Sequence, residues 1–179
     1  MPTKDTNSVS AYLRVVEKAL KRGDATEHTH RPALKALLES HRANVVATNE
    51  PRRIQCGSPD FIVSQGQIPV GYVEAKDVKI DLAIAENSDQ LTRYRESLGN
   101  LILTNYLEFR LYREGEFVRS ANLASVSKNG SLLPVKSADR ELKAMLEAFF
   151  DSQMPTISAP QDLAERMARA ARLLRDLIG

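Results

Sequence analysis

Two carboxylates and a lysine sit where a β-hairpin would gather them. The stretch Gly57-Ser58-Pro59-Asp60-Phe61-Ile62-Val63 is followed by Gly71-Tyr72-Val73-Glu74-Ala75-Lys76. Between them, Gln65-Gly66-Gln67-Ile68-Pro69 reads as a hairpin connection. Asp60 and Glu74 are equidistant from Gln67, so strands pairing symmetrically about that residue set the two carboxylates opposite one another. Cross-strand neighbours lie ~4.5–5.5 Å apart at Cβ. Glu74 and Lys76, two residues apart on one strand, share a face. Two carboxylates this close cannot both stay ionised cheaply without a cation between them. A hard divalent ion such as Mg²⁺, taking carboxylate oxygens and waters, resolves that conflict. Lys76 then lies within reach of a water on the ion and brings positive charge to the place where a nucleophile forms.

The elements that must position these groups can be read from hydrophobic spacing. A first helix is expected over 10–22, with Tyr12, Leu13, Val16 and Leu20 on one face and Gly23 as its stop. A second covers roughly 26–40, burying Leu34, Leu37 and Leu38. Pro32 allows two starts for it, a Thr29 cap with the proline in the first turn or a Thr26 cap with a kink. Strands are expected at 44–48, 60–64 and 70–76, then a helix from 87 or 88 to about 98, with Leu91, Tyr94 and Leu98 on one side. Two more strands, 101–104 and 109–113, flank the turn-like Asn105-Tyr106-Leu107-Glu108, and 117–119 pairs back across Glu114-Gly115. A strong amphipathic helix follows over 138–150, with Ser137 as its cap. This order predicts an α/β or α+β fold, a central mixed sheet flanked by helices. Proline and small polar residues then mark 152–160 as a linker between a domain over 1–151 and an arginine-bearing helix over 161–179.

Composition narrows the class. Across 179 residues, 25 basic against 23 acidic side chains leave a net charge of +2, so any basic surface must be local. Apolar residues at 42% supply a core, and the absence of Trp argues against a surface built on base stacking. The single cysteine, Cys56, excludes a disulfide framework or a Cys-rich zinc site and reads as a small buried residue. No leader or membrane-length apolar run is present in the sequence, so a soluble, cytoplasmic protein with no membrane partner is expected. His28, His30 and His41 lack a second cluster to complete a metal site and read as surface or DNA-facing side chains. Arg93 and Arg95, beside Tyr94, read either as phosphate contacts or as helix-surface charge.

In full, the pattern is Pro59-Asp60, thirteen residues, then Glu74-Ala75-Lys76. It resembles the PD-(D/E)XK nuclease superfamily. Gln90-Leu91-Thr92-Arg93-Tyr94 resembles the QxxxY motif of its RecB-like branch, and Glu27 matches the helix-borne acid that many members use as a further metal ligand. The segment from Leu103 to Tyr112 is similar to the strand pair found in the amino-terminal nuclease modules of fused restriction-modification enzymes. Leu163-Ala164-Glu165-Arg166-Met167-Ala168 resembles the connector into their helical and methyltransferase domains. The resemblance implies a restriction-endonuclease-like fold and Mg²⁺-dependent DNA cleavage, with Mn²⁺ able to substitute. It implies that Asp60, Glu74 and the Ala75 carbonyl bind the ion, with Glu27 as a further ligand. It also implies that Lys76 orients or deprotonates the attacking water, and that Gln90 positions that lysine or the DNA backbone. Arg31, Arg93 and Tyr94 are the DNA-facing candidates. No Gly-rich cofactor loop and no Asn-Pro-Pro-Tyr or Asp-Pro-Pro-Tyr motif of an adenine methyltransferase occurs. A downstream methyltransferase and a target-recognition domain are therefore expected partners, as is a second copy for double-strand cleavage. The alternatives are a Holliday-junction or repair nuclease, or a non-catalytic DNA-binding module of the same fold.

Overall fold

Helix α1, Val9–Arg22, turns Val9, Tyr12, Leu13, Val16 and Ala19 inward and ends at Gly23, whose φ of +78° suits a glycine stop. The computed structural model describes residues 9–23, 25–51 and 57–152. Neither of the two starts for the second helix holds by itself. Thr26 heads a 3₁₀ turn, Glu27–His30, through a reciprocal capping box with Thr29. The α-helix proper, α2, is Arg31–His41, with Pro32 in its first turn, where a missing N–H costs nothing.

Six strands form one sheet in chain order: β1 (Val45–Asn49), β2 (Phe61–Gln65), β3 (Ile68–Ala75), β4 (Asn100–Thr104), β5 (Glu108–Arg113) and β6 (Glu116–Asn122). All neighbours are antiparallel except β3 and β4, which run parallel. Their crossover carries a short helix α3 (Leu82–Ala85) and helix α4 (Asp89–Ser97). A parallel pair needs such a crossover because a tight turn cannot reverse the chain twice. After β6 come a two-stranded ribbon, β7 (Ala124–Val126) with β8 (Leu132–Pro134), and helix α5, Ala138–Phe150. The expected α+β architecture, a mixed sheet flanked by helices, is observed. The sequence reading did not include α3, β7 or β8, and it ended the last sheet strand three residues early, since β6 runs to Asn122. Ser137 sits at the α5 cap position without a side-chain capping bond. Cys56 and nearly all of the expected linker and connector helix lie outside the described residues.

The sheet separates two cores of unequal size. Residues of α1, α2 and α5 pack on one face against Phe61, Val63, Val73, Ala75, Ile102, Phe109 and Leu111. On the other face Leu82, Leu91, Tyr94 and Leu98 close over Leu101, Leu103 and Tyr112. Gly71 is required where α5 crosses the sheet, since a Cβ there would stand 2.6 Å from both the Asn100 carbonyl oxygen and the Phe149 ring.

The β2–β3 hairpin sets the register of the acids. Its loop is Gly66-Gln67, with Gln65 paired to Ile68 and Ser64 to Pro69. Carried on unbroken, that register would set Asp60 against Val73. Instead Val70 bulges out and the ladder resumes with Val63 against Gly71 and Phe61 against Val73. One further step sets Asp60 opposite Glu74. The opposition expected from symmetry about Gln67 is reached, but through a bulge that shifts a turn centred half a residue earlier.

Candidate active site

Asp60 immediately precedes the start of β2 and Glu74 lies near the end of the antiparallel β3, and the two are stitched together. The Asp60 N–H points to Glu74 Oε2 at 3.3 Å, and the Ala75 N–H donates to Asp60 Oδ2 at 2.8 Å. Lys76 follows on the same face as Glu74, its backbone N–H continuing the ladder to the Thr104 carbonyl at 2.8 Å. Its Nζ donates to Glu74 Oε1 at 2.7 Å and to Gln90 Oε1 at 3.0 Å. Gln90 Nε2 in turn donates to Glu74 Oε1 at 3.1 Å. Helix α4 presents Gln90 in its first turn because Ser88 caps it and Leu91 and Tyr94 anchor it to the sheet.

Glu74 is 3% exposed, and its carboxyl is pushed up from 4.5 to about 7, first by burial and second by the charge of Asp60. The bonds from Lys76 work against that rise without cancelling it. On the other side of Asp60 stands Arg31 from the start of α2. Its guanidinium pairs with Asp60 Oδ1, with Glu27 Oε1 at 3.3 Å and with Glu50 Oε1 at 2.9 Å. Tyr106, held at φ +72°, donates its hydroxyl to the Glu27 carbonyl at 2.6 Å and so fixes the 3₁₀ turn.

The structure thus brings together Asp60, Glu74, Lys76 and Gln90, places Ala75 between them, and sets Glu27 one arginine away. Two side chains expected to face DNA are buried in the chain itself. Arg31 is 6% exposed and clamped among carboxylates, and Tyr94 is 2% exposed, with its hydroxyl 3.4 Å from Gln90 Nε2. Gly57 lies so close to that ring that a Cβ would stand 2.8 Å from the Tyr94 hydroxyl. Arg93 is exposed on α4. His30, read from sequence as a surface or DNA-facing group, is buried with its ring 5.0 Å from that of Tyr106, and His41 stacks on Phe150 at 5.4 Å. His28 is exposed. The sequence reading missed Glu50, Tyr106 and the role of Arg31 as counter-cation. The four-residue spacing of Glu27 and Arg31 on a helix was the one signal that pointed to any of them.

Among the described residues no cluster of three or more His, Cys, Asp and Glu side chains forms a ready-made cation cage. The donor set is a carboxylate pair. Mg²⁺, which keeps several waters and binds through one or two carboxylates, fits such a pair better than Ca²⁺ or Zn²⁺, which need more protein ligands. Charge supports the fit. Among the described residues, Glu27, Glu50, Asp60 and Glu74 have Arg31 and Lys76 as their cations within bonding distance. Two negative charges are left over when all four acids are ionised, the charge of one divalent ion.

These features define a mixed-sheet α+β domain with an acid pair, a lysine and a glutamine gathered at the end of two adjacent strands. Its fold is similar to that of a chain in a cryo-EM structure of a DrdV–DNA complex, with a TM-score of 0.60, 21% identity, and coverage of 80% of this chain and 96% of that one. No protein-family model and no curated protein sequence matches.

Proposed function

We propose that this chain is a Mg²⁺-dependent DNA endonuclease module of the PD-(D/E)XK kind, serving a restriction-modification system. The observation that carries the reading is the opposition of Asp60 and Glu74, with Lys76 and Gln90 bonded to the same Glu74 oxygen. The fold likeness to a chain from a DNA complex supports DNA as the substrate.

On this reading Asp60, Glu74 and the Ala75 carbonyl hold Mg²⁺, or Mn²⁺ in its place, with Glu27 as a further ligand. When bound, the ion lowers the pKa of water and neutralises charge developing on the phosphate oxygens. Lys76 is 20% exposed at its side chain, close enough to solvent to meet a water or a phosphate oxygen while its other donors stay engaged. It orients the attacking water and stabilises the negative charge of the transition state. Gln90 holds that ammonium in place by accepting from it and donating to its acid partner. Arg93 is a free-standing candidate for a backbone phosphate. DNA, a downstream helical and methyltransferase region, a target-recognition domain and a second copy of the chain are the partners this reading implies.

A plasmid-nicking assay tests the assignment. Wild type is expected to cut only with Mg²⁺ or Mn²⁺, and Asp60→Ala to be inert. Cutting that persists in Asp60→Ala would end it. DNA binding without ion uptake in calorimetry, and without cutting, would make the chain a non-catalytic DNA-binding module.

A further inference from the structure

The chemistry just described leaves Arg31 and Glu50 without a task. The Arg31 side chain is only 7% exposed, its two terminal nitrogens are shared among Asp60, Glu27 and Glu50, and its buried Nε has no partner. Buried polar atoms are rarely left this way. In its present seat, then, the guanidinium is incompletely satisfied. Glu50 stands at the open end of β1 with its side chain 70% exposed. Its φ of +49° is an uncommon conformation for a residue with a Cβ, and its N–H donates to the Asp60 carbonyl at 2.8 Å. The backbone of Glu50 is thereby tied to the very residue whose side chain Arg31 holds. A cavity of 290 Å³ opens against Arg31 on the Glu50 side, lined also by His28, Lys35 and Asn49.

We infer that Arg31 and a divalent cation compete for Asp60, and that Glu50 is the seat that retains Arg31 when the cation takes over. Asp60 Oδ2 is committed to the Ala75 N–H and Oδ1 to Arg31, so an incoming cation meets a guanidinium on the oxygen it needs. Two cations on one carboxylate oxygen repel each other strongly away from bulk water. Glu50 keeps the displaced guanidinium paired, and the cavity gives it room. Arg31 thus keeps the empty site from carrying unanswered charge and sets the ion concentration at which the site fills. The inference rests on the proposed ion site and deepens it. Arg31 and Glu50 act here as positioning residues, through Asp60.

Calorimetric titration of the full chain with MnCl₂, in the absence of DNA, reads the competition directly. Arg31→Gln is expected to bind Mn²⁺ about tenfold more tightly than wild type, an ordinary size for coupling between two sites. Glu50→Asn keeps a residue that tolerates the left-handed backbone and is expected to weaken Mn²⁺ severalfold. In the Arg31→Gln background Glu50→Asn is expected to change nothing, since Glu50 acts only through Arg31. Equal effects of Glu50→Asn in both backgrounds would reduce Glu50 to a through-space charge and overturn the inference. So would an Arg31→Gln protein that binds no more tightly than wild type, with the ion site itself still standing. Loss of Mn²⁺ binding from every variant, wild type included, would remove the ion site and this inference together. Should Arg31→Gln fail to fold, Arg31→Lys takes its place in the cycle, because an ammonium lacks the planar fork that spans three acids. A smaller tightening is then the expected result.

Discussion

Two polar networks flank helix α4 and are built from similar parts, yet among the described residues only one is left short of charge. At the candidate site, Asp60 and Glu74 are joined through Arg31 and Lys76 to Glu27, Glu50 and Gln90. Beyond α4, Arg110 donates to Glu108 at 2.6 Å and to Glu86 at 2.9 Å, Tyr112 bonds the same Glu86 oxygen, and Arg95 stands 5.5 Å over the Tyr112 ring. In the second network two arginines answer two acids. Burial works to raise the Glu86 carboxyl, but the bonds from Tyr112 and Arg110 outweigh it and hold it below the usual range. In the first network the balance fails and Glu74 rises to about 7. A cluster that satisfies itself holds the fold together; one left short of charge is a candidate to take a ligand.

The largest effect should come from removing the lysine. Lys76→Met is expected to cost about a thousandfold in Mg²⁺-dependent nicking, the scale of one preorganised charge at a reacting centre. Arg110→Met should leave nicking within a few-fold of wild type. A comparable loss of nicking in both would dissolve the distinction between the networks.

Titration sharpens it next. With Glu74 raised from 4.5 to about 7, the folded protein keeps a proton that the unfolded chain has released across that window. Stability without divalent ions should therefore fall as pH rises through it, by ~3 kcal/mol in all. Glu86 contributes with the opposite sign. Its lowered carboxyl stabilises above the unfolded value of 4.5, and that contribution is lost as pH falls through the lower folded one. Denaturant midpoints in EDTA, taken from about pH 5 to about pH 8, measure the slope. Asp60→Asn should flatten it by removing the charge that helps raise Glu74, and a slope unchanged in Asp60→Asn would show that burial alone sets the shift.

Third in size is the stability of the balanced network. Arg110→Met strands Glu86 and Glu108 with one cation fewer, and is expected to cost ~2 kcal/mol of unfolding free energy, in the range for a partly buried charged hydrogen-bonded group. Thermal unfolding that matched wild type would mean that the network is only surface decoration.

The parts of this picture that sequence could supply are those governed by local spacing. The amphipathic helix expected over 138–150 coincides with α5, because a 3.6-residue stripe needs no knowledge of its partner. Alternation within a hairpin put Asp60 and Glu74 together, and it succeeded even though the bulge at Val70 was not foreseen. Arg31 shows where such reading stops. Its bonds to Glu50 and Asp60 join residues nineteen and twenty-nine positions apart on three different elements, and no periodicity records them. Seen alone, an arginine near a helix start looks like a phosphate contact. Tyr94 shows the same limit: spacing does not tell a side chain that lines a site from one buried a helical turn away beneath it. The β7–β8 ribbon, with three residues in each strand, is too short for alternation to stand out.

The smallest expected effect tests how the two networks share α4. Gln90 touches neither Asp60 nor Arg31; its oxygen accepts from Lys76 and its nitrogen donates to Glu74 and, at 3.4 Å, toward the Tyr94 hydroxyl. If its work is to hold the ammonium, Gln90→Ala should lower kcat about tenfold, a small share of what orientation can contribute. KM for DNA and the ion concentration at half-activity should stay unchanged. Gln90→Glu keeps the acceptor for Lys76 but adds a fifth carboxylate to an already acidic cluster, so it should shift the half-activating Mg²⁺ concentration instead. A rise in KM for Gln90→Ala with kcat intact would make Gln90 a DNA contact, and α4 would then present substrate-binding groups on both Gln90 and Arg93 rather than a single brace for Lys76.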